Sequence, residues 1–199
     1  MIKRGLSILA AACILMPSAA LAHTGAGAAD GIVHGLMHPV TGLDHVLAMV
    51  AVGVLAAFIG GRALWLVPTS FMAAAALGGA LGVRSVTLPF VEIGISTSVI
   101  LLGLAIALQA RLPLGWTAGL VALFGLYHGY AHGAEMPADA SGLAYGLGFL
   151  AATAALHVAG IGLGLGINLL ASSRPAARLA QAGGAAIALA GVALLVRGL

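Results

Sequence analysis

Long apolar stretches separated by short polar breaks make up nearly the whole chain of 199 residues. A helix of about 20 apolar residues crosses the hydrocarbon of a bilayer, where only helices and closed barrels satisfy their backbone groups. The pattern therefore predicts an all-α fold, a polytopic membrane bundle of six transmembrane helices forming one domain over residues 23–199. The predicted spans are 31–60, 63–83, 89–110, 113–133, 141–171 and 177–197.

The first of these spans is too long for one straight crossing. About 30 residues of helix extend about 45 Å, whereas the hydrocarbon core is about 30 Å thick. Pro39 and Gly42 lie inside it, and proline removes a helical hydrogen bond and clashes with the preceding turn. We expect a break near Pro39–Gly42, with 31–38 as a short helix at the outer face and 43–60 as the main crossing.

The first 22 residues have the layout of a secretory signal peptide. Lys3 and Arg4 precede an apolar run, Leu6 to Met16, and Ala20-Leu21-Ala22 matches a cleavage site. The only cysteine, Cys13, lies in this segment, so the mature chain would have no disulfide and no thiolate ligand. Lipidation of Cys13, or retention of the segment as an uncleaved helix, remain alternatives.

Signal cleavage would place the new N-terminus outside, and the charged loops agree with this orientation. Arginine and lysine are enriched on the cytoplasmic side of membrane proteins. The loops predicted inside carry four arginines, and those predicted outside carry two. The inner set is Arg62, Arg111, Arg174 and Arg178, and the outer set is Arg84 and Arg197.

The composition excludes most soluble classes of protein. The chain is 62% hydrophobic and only 7% charged, against about a quarter charged in soluble domains. The sequence contains no basic stripe of the kind that binds nucleic acid. The sequence contains no phosphate-binding loop of the G-x-x-x-x-G-K-[ST] type and no cofactor fingerprint. The apolar composition indicates the lipid bilayer as a partner.

Histidines and acids are concentrated at two places, the head of the first span and the tail of the fourth. Ionisable groups cost about 2.5–3.5 kcal/mol or more at the bilayer centre, so they are rare there and usually functional. Imidazole and carboxylate are also ligands that first-row divalent metals accept. The first group is His34, His38, Asp44 and His45, and the second is His128, His132 and Glu135.

Each group contains two histidines spaced i, i+4, which project from one helical face and could chelate one metal ion. The first group opens a span that runs inward and the second closes a span that runs outward. Antiparallel packing would therefore bring both to the outer half of the bundle. Glu92, near the outer start of the third span, would lie at a similar depth. The sequence thus predicts one composite site for a divalent metal.

Three of these residues could have roles other than binding a metal ion directly. Asp44 follows Thr41 in a T-x-x-D pattern that could be a capping box at a restarted helix. Glu135 could be a solvated acid of an outer loop. His128 could orient its neighbour rather than bind a metal.

Two further histidines are candidate accessory sites. His23 would become the mature N-terminus, where its amino group and ring could chelate a metal, or the cleavage point could be arbitrary. His157, in the middle of the fifth span, is either a deeper transit site or a histidine bonded to a backbone carbonyl. The hydroxyls of Ser96, Thr97 and Ser98 are expected to bond back to helix carbonyls.

The two motifs resemble those of the HupE/UreJ family of secondary nickel/cobalt permeases. They read His38-Pro39-x-x-Gly42-x-Asp44-His45, followed by Leu47-Ala48-Met49, and His128-Gly-Tyr-Ala-His132-Gly-Ala-Glu135. The resemblance covers the whole chain. It implies a non-enzymatic permease of a bacterial inner membrane, with no organic cofactor, that takes Ni²⁺ or Co²⁺ from periplasm to cytoplasm for hydrogenase or urease maturation. The functional residues that it implies are His38, Asp44, His45, Glu92, His132 and Glu135, and less securely His34 and His128.

Two other classes of protein remain open. An intramembrane zinc hydrolase would need three protein ligands and an open water position. A haem-binding electron carrier would need paired axial histidines.

For a permease, imidazoles must be deprotonated to bind, so we expect uptake to fall below about pH 6. The oligomeric state is open, with a homo-oligomer as one option.

Overall fold

The computed structural model describes residues 28–110, 112–137, 140–170 and 174–198, and regular structure in these ranges is entirely α-helical. The fold class is therefore confirmed as an all-α membrane bundle. The predicted signal peptide, its cleavage site and His23 lie outside the described residues. The helices are α1 (Ala28–Thr41), α2 (Leu43–Ile59), α3 (Ala63–Val83), α4 (Val91–Ala107), α5 (Leu114–Ala134), α6 (Gly142–Leu170) and α7 (Arg174–Gly198).

Within the described ranges, three helical segments are long and apolar enough to cross a membrane: α3, α6 and Ala177–Gly198 of α7. The bent pair α1 and α2 passes the same test as one unit, which raises the number to four. Helix α4 is apolar but has only 17 residues. The helical segments follow the predicted spans closely, whereas the number of six crossings stays a prediction.

The predicted break in the first span is present, and Gly42 is where it occurs. Gly42 lies between α1 and α2, which meet at 82°. Pro39 stays within the last turn of α1. Gly42 also leaves room for its neighbours, because a Cβ there would lie 2.9 Å from Asp44 Oδ1 and 3.0 Å from His45 Nδ1.

Glycines bring helix backbones into direct contact along the bundle. Gly125, Gly129 and Gly133 form one stripe of α5, spaced one turn apart, and face the backbone of α3. A Cβ on Gly129 would collide with the carbonyl oxygen of Ala75. Such small-residue stripes let membrane helices approach closely. This contact fixes the rotation of α5 and therefore the direction in which its histidines point.

The apolar core lies between α2, α3, α4 and α5 and includes Phe149 of α6. Its largest fully buried side chains include Phe71, Met49 and Leu102. Four histidines are buried beside this core, which is unusual because an unpaired polar group loses its hydration there. They are His45, His128, His132 and His157.

Candidate metal site

The structure brings the two histidine motifs together at one end of the bundle. His38 Nε2, in the last turn of α1, lies 3.1 Å from Glu135 Oε2, just past the end of α5. Their side chains are 34% and 56% exposed, so this pair lies at the surface. Glu135 is thus solvent-accessible, as a loop acid would be, but it has a histidine partner.

Asp44 holds the imidazole of His45 in one orientation. Asp44 Oδ1 accepts hydrogen bonds from His45 Nδ1 at 2.7 Å and from the His45 backbone N–H at 2.8 Å. An ionised carboxylate only accepts, so Nδ1 carries the proton and Nε2 keeps its lone pair. His45 Nε2 is buried and has no hydrogen-bond partner among the described residues. A histidine oriented in this way by a carboxylate is typical of metal sites.

The capping-box explanation for Asp44 is wrong. Gly42, not Thr41, occupies the N-cap position of α2, and a glycine has no side chain to cap the helix. The Asp44 carboxylate accepts from the first-turn backbone N–H of the next residue, His45. Thr41 Oγ1 instead donates to the carbonyl oxygen of His38, 2.8 Å away. Both the carboxylate and the hydroxyl are therefore used inside the histidine motif.

Four imidazoles form a continuous cluster that begins at His38 of this surface pair. The ring of His132 lies between those of His38 and His45, with centroid distances of 4.7 and 4.3 Å, and His45 in turn meets His128 at 4.8 Å. All three contacts are edge-to-face. Both nitrogens of His132 are buried without a partner in the described helices. The imidazole cluster of His38, His132, His45 and His128 thus runs from the surface into the bundle.

Ser98 fixes the innermost ring of the cluster. Its Oγ donates to the carbonyl oxygen of Ile95 at 2.6 Å, as expected for a helical serine. The same oxygen lies 2.9 Å from His128 Nε2. Because the serine proton is used on Ile95, His128 Nε2 donates to Ser98 and its Nδ1 keeps a lone pair. That Nδ1 is buried, and no described residue bonds to it.

An acidic cavity of about 230 Å³ opens beside the cluster. Asp44, Glu92 and Glu135 line it together with His38 and His45, so three of the chain's five acids are gathered here. Glu92 is exposed rather than buried. The cavity therefore places three carboxylates beside imidazole nitrogens, an arrangement whose charge suits a cation.

The rings do not yet point at a common centre. Within the described ranges, no group of three or more His, Cys, Asp or Glu side chains is arranged to hold a metal ion. Metal–nitrogen bonds are about 2.0–2.1 Å long, whereas these imidazoles present edges and faces to one another. Binding of an ion by the cluster would therefore require the rings to turn.

Two of the predicted histidines lie outside both the acidic cavity and the imidazole cluster. His34, one helical turn before His38, is exposed. His157 is 1% exposed and packs against Phe71, and neither of its ring nitrogens has a hydrogen-bond partner among residues 28–110, 112–137, 140–170 and 174–198. The prediction that His157 could bond to a backbone carbonyl is therefore wrong.

Sequence reasoning missed the aromatic residues around the cluster. Phe149 packs on His132 at 4.3 Å, and Tyr145 meets His38 at 6.2 Å with its hydroxyl buried and unpartnered within the described segments. Both belong to the start of α6, and antiparallel packing brings that helix start to the same end of the bundle. The i, i+4 spacing of Tyr145 and Phe149 already placed both rings on one face of a predicted helix, and this could have been read from the sequence.

Known proteins are similar in sequence to this chain over most of its length. A family model described as "HupE / UreJ protein" matches residues 11–194. Over 185 residues the chain is 45% identical to Protein HupE of Rhizobium leguminosarum bv. viciae. The matched region covers 93% of this chain and 94% of that protein. No solved structure matches significantly. The chain belongs to the HupE/UreJ family, a family of membrane proteins associated with nickel and cobalt transport for hydrogenase and urease.

Proposed function

We propose that this protein is a secondary permease that carries Ni²⁺, or Co²⁺, from periplasm to cytoplasm for hydrogenase or urease maturation. One observation carries the proposal: two distant motifs join in an acidic cavity backed by buried imidazole nitrogens that no described residue satisfies. In this proposal the ion is cargo, the protein is not an enzyme, and the cavity opens to the periplasm from the bacterial inner membrane.

Ion capture begins at the exposed carboxylates. Glu135 and Glu92 attract the dication, and Asp44 offsets its charge as water is lost. His38, His132 and His45 then supply nitrogen ligands, with His128 below them. Imidazole favours first-row transition metals over Mg²⁺ and Ca²⁺, whose preferred ligands are oxygens.

Transport requires release as well as binding. Because raw affinity would favour Cu²⁺ over Ni²⁺, selectivity must come from geometry and metal supply. The imidazole rings contact one another and are not fixed around a vacant centre in the described part of the bundle. A cluster that must turn its rings to bind holds its ion less tightly than a preorganised site. This suits a transient cargo better than the resident zinc of a hydrolase.

The positions of the cavity and of Arg62 at opposite ends of α2 support this orientation. The cavity lies at the start of α2, whereas the Gly60–Arg62 turn lies at its other end. Arg62 belongs to the arginine-rich side that is expected in the cytoplasm. The cavity would then face the periplasm, where signal cleavage would also leave the N-terminus.

Uptake of ⁶³Ni by a host that lacks its own nickel transporters tests this function. Wild type, Asp44→Ala and His132→Ala are compared at equal membrane expression. Ser70→Ala is the control, because its hydroxyl bonds to the Leu66 carbonyl of its own helix and Ser70 does not line the cavity. We expect uptake by wild type and the control, and loss of uptake in both site variants. Wild type that takes up no more than an empty host would disprove the proposal.

A further inference from the structure

His157 is a buried polar side chain whose polarity the fold does not use. Its ring is 1% exposed, and neither nitrogen has a hydrogen-bond partner in the segments that the structure describes. Buried polar groups in folded proteins are almost always hydrogen-bonded, so each exception needs a reason, and a functional use of the group is one. A buried imidazole whose nitrogens bond to no described residue is an available ligand.

One aromatic ring contacts both His157 and the imidazole cluster. Phe71, fully buried on α3, lies against His128 and His157, and its ring centroid is 5.6 and 5.1 Å from theirs. Phe71 therefore connects the innermost ring of the cluster to His157. Gly53 of α2 packs directly on the backbone carbonyl oxygen of His157, so α2 and α6 are in backbone contact at this level.

The depth of His157 places it between two cavities. On α6, Tyr145 marks the acidic cavity through its contact with His38, and His157 follows about 18 Å further along the helix. Asn168, about 16 Å beyond His157, lines a second cavity of about 690 Å³ at the opposite end of the bundle. His157 is thus midway between the outer acidic cavity and this inner cavity.

We propose that His157 is a second, inner binding point for the transported cation, and that the ring of Phe71 is the barrier in front of it. This inference rests on the proposed function. The ion exchanges an imidazole nitrogen of His128 for one of His157 when the Phe71 side chain turns aside. It then leaves toward the inner cavity.

Two measurements on His157→Gln separate this role from the outer site. The first is equilibrium binding of ⁶³Ni to the purified full-length protein. The second is ⁶³Ni accumulated inside right-side-out membrane vesicles and resistant to external chelator. We expect binding close to wild type and a fall in accumulation of about tenfold or more. Thr153→Val is the control: it removes a buried hydroxyl one turn away on α6, bonded to Phe149, and should change neither measurement.

Phe71→Leu tests the barrier while keeping much of the side-chain volume. We expect faster initial accumulation, because a smaller side chain obstructs the step from His128 to His157 less. Phe124→Leu, another buried phenylalanine on the adjoining helix, should accumulate nickel at the wild-type rate. Equal rates for Phe71→Leu and wild type would overturn the barrier role of Phe71.

Other outcomes assign the failure clearly. His157→Gln vesicles that fill at the wild-type rate overturn the inner site and leave the permease function intact. Equal losses of binding and accumulation also overturn it, because His157 would then only support the outer cluster. If wild-type vesicles fill no faster than empty ones, the proposed function itself is wrong.

Discussion

The imidazole of His45 lies edge-to-face against that of His132, with ring centroids 4.3 Å apart, although the two residues come from opposite halves of the chain. Asp44 holds the first ring through Nδ1, and the glycine stripe of α5 sets the direction of the second. Two different constraints therefore converge on one contact, and each can be removed separately.

Asp44→Asn should reduce nickel uptake by about 10–100-fold, the usual effect of losing a carboxylate that orients a metal-binding histidine. The amide keeps the shape of the side chain but removes the charge and no longer fixes the proton on His45 Nδ1. Initial rates of ⁶³Ni uptake at equal expression measure this. Uptake that matches wild type would show that the orientation of His45 is unimportant.

Glu135→Gln should weaken capture of the ion more than its passage. Glu135 is more than half exposed and pairs with His38 at the surface, so its charge acts on the approaching dication. We expect the nickel concentration for half-maximal uptake to rise severalfold, and the salt dependence of uptake to become weaker. A concentration series at low and high ionic strength checks both; an unchanged half-maximal concentration contradicts the role.

His34→Ala should leave uptake unchanged, whereas His132→Ala should abolish it. The two pairs His34/His38 and His128/His132 have the same spacing, but His34 is exposed and outside the cavity. The sequence spacing predicts equal roles for the two pairs, whereas the structure predicts different effects of His34→Ala and His132→Ala. Both variants are compared in the same uptake assay. Equal loss in both would place His34 at the ion path after all.

Nickel uptake should be lower in acid than at neutral pH. A protonated imidazole cannot bind a metal ion, so protons compete with nickel as the pH falls. A pH series with the membrane potential held constant measures the effect. Uptake that stays flat from pH 5 to pH 8 would contradict nitrogen ligation.

Gly129→Ala should destabilise the bundle by about 1–3 kcal/mol, as expected for overpacking. The new Cβ would collide with the carbonyl oxygen of Ala75 and separate α3 from α5. Gly119→Ala is the matched control on the same helix, because its Cβ would enter open space. The melting temperatures of the two variants in detergent are compared, with size-exclusion chromatography as the measure of folded protein. Equal melting temperatures would show that the helices can separate without cost.

The sequence by itself determined the class of protein, the helical segments and the break in the first one. These follow from bilayer physics, since span length and the need to satisfy backbone groups leave few options. It also indicated that the ends of alternate helices meet, which brought His38 and Glu135 to one end. Such conclusions depend on order along the chain and not on side-chain direction.

Only the tertiary structure decided which side chains face one another. Helices that are apolar on every side give no sequence signal for the face that turns inward. Close backbone contacts at residues such as Gly129 and Gly53 set that rotation instead. This is why Ser98 meets His128, why His34 stays outside the cavity, and why His157 lies behind Phe71.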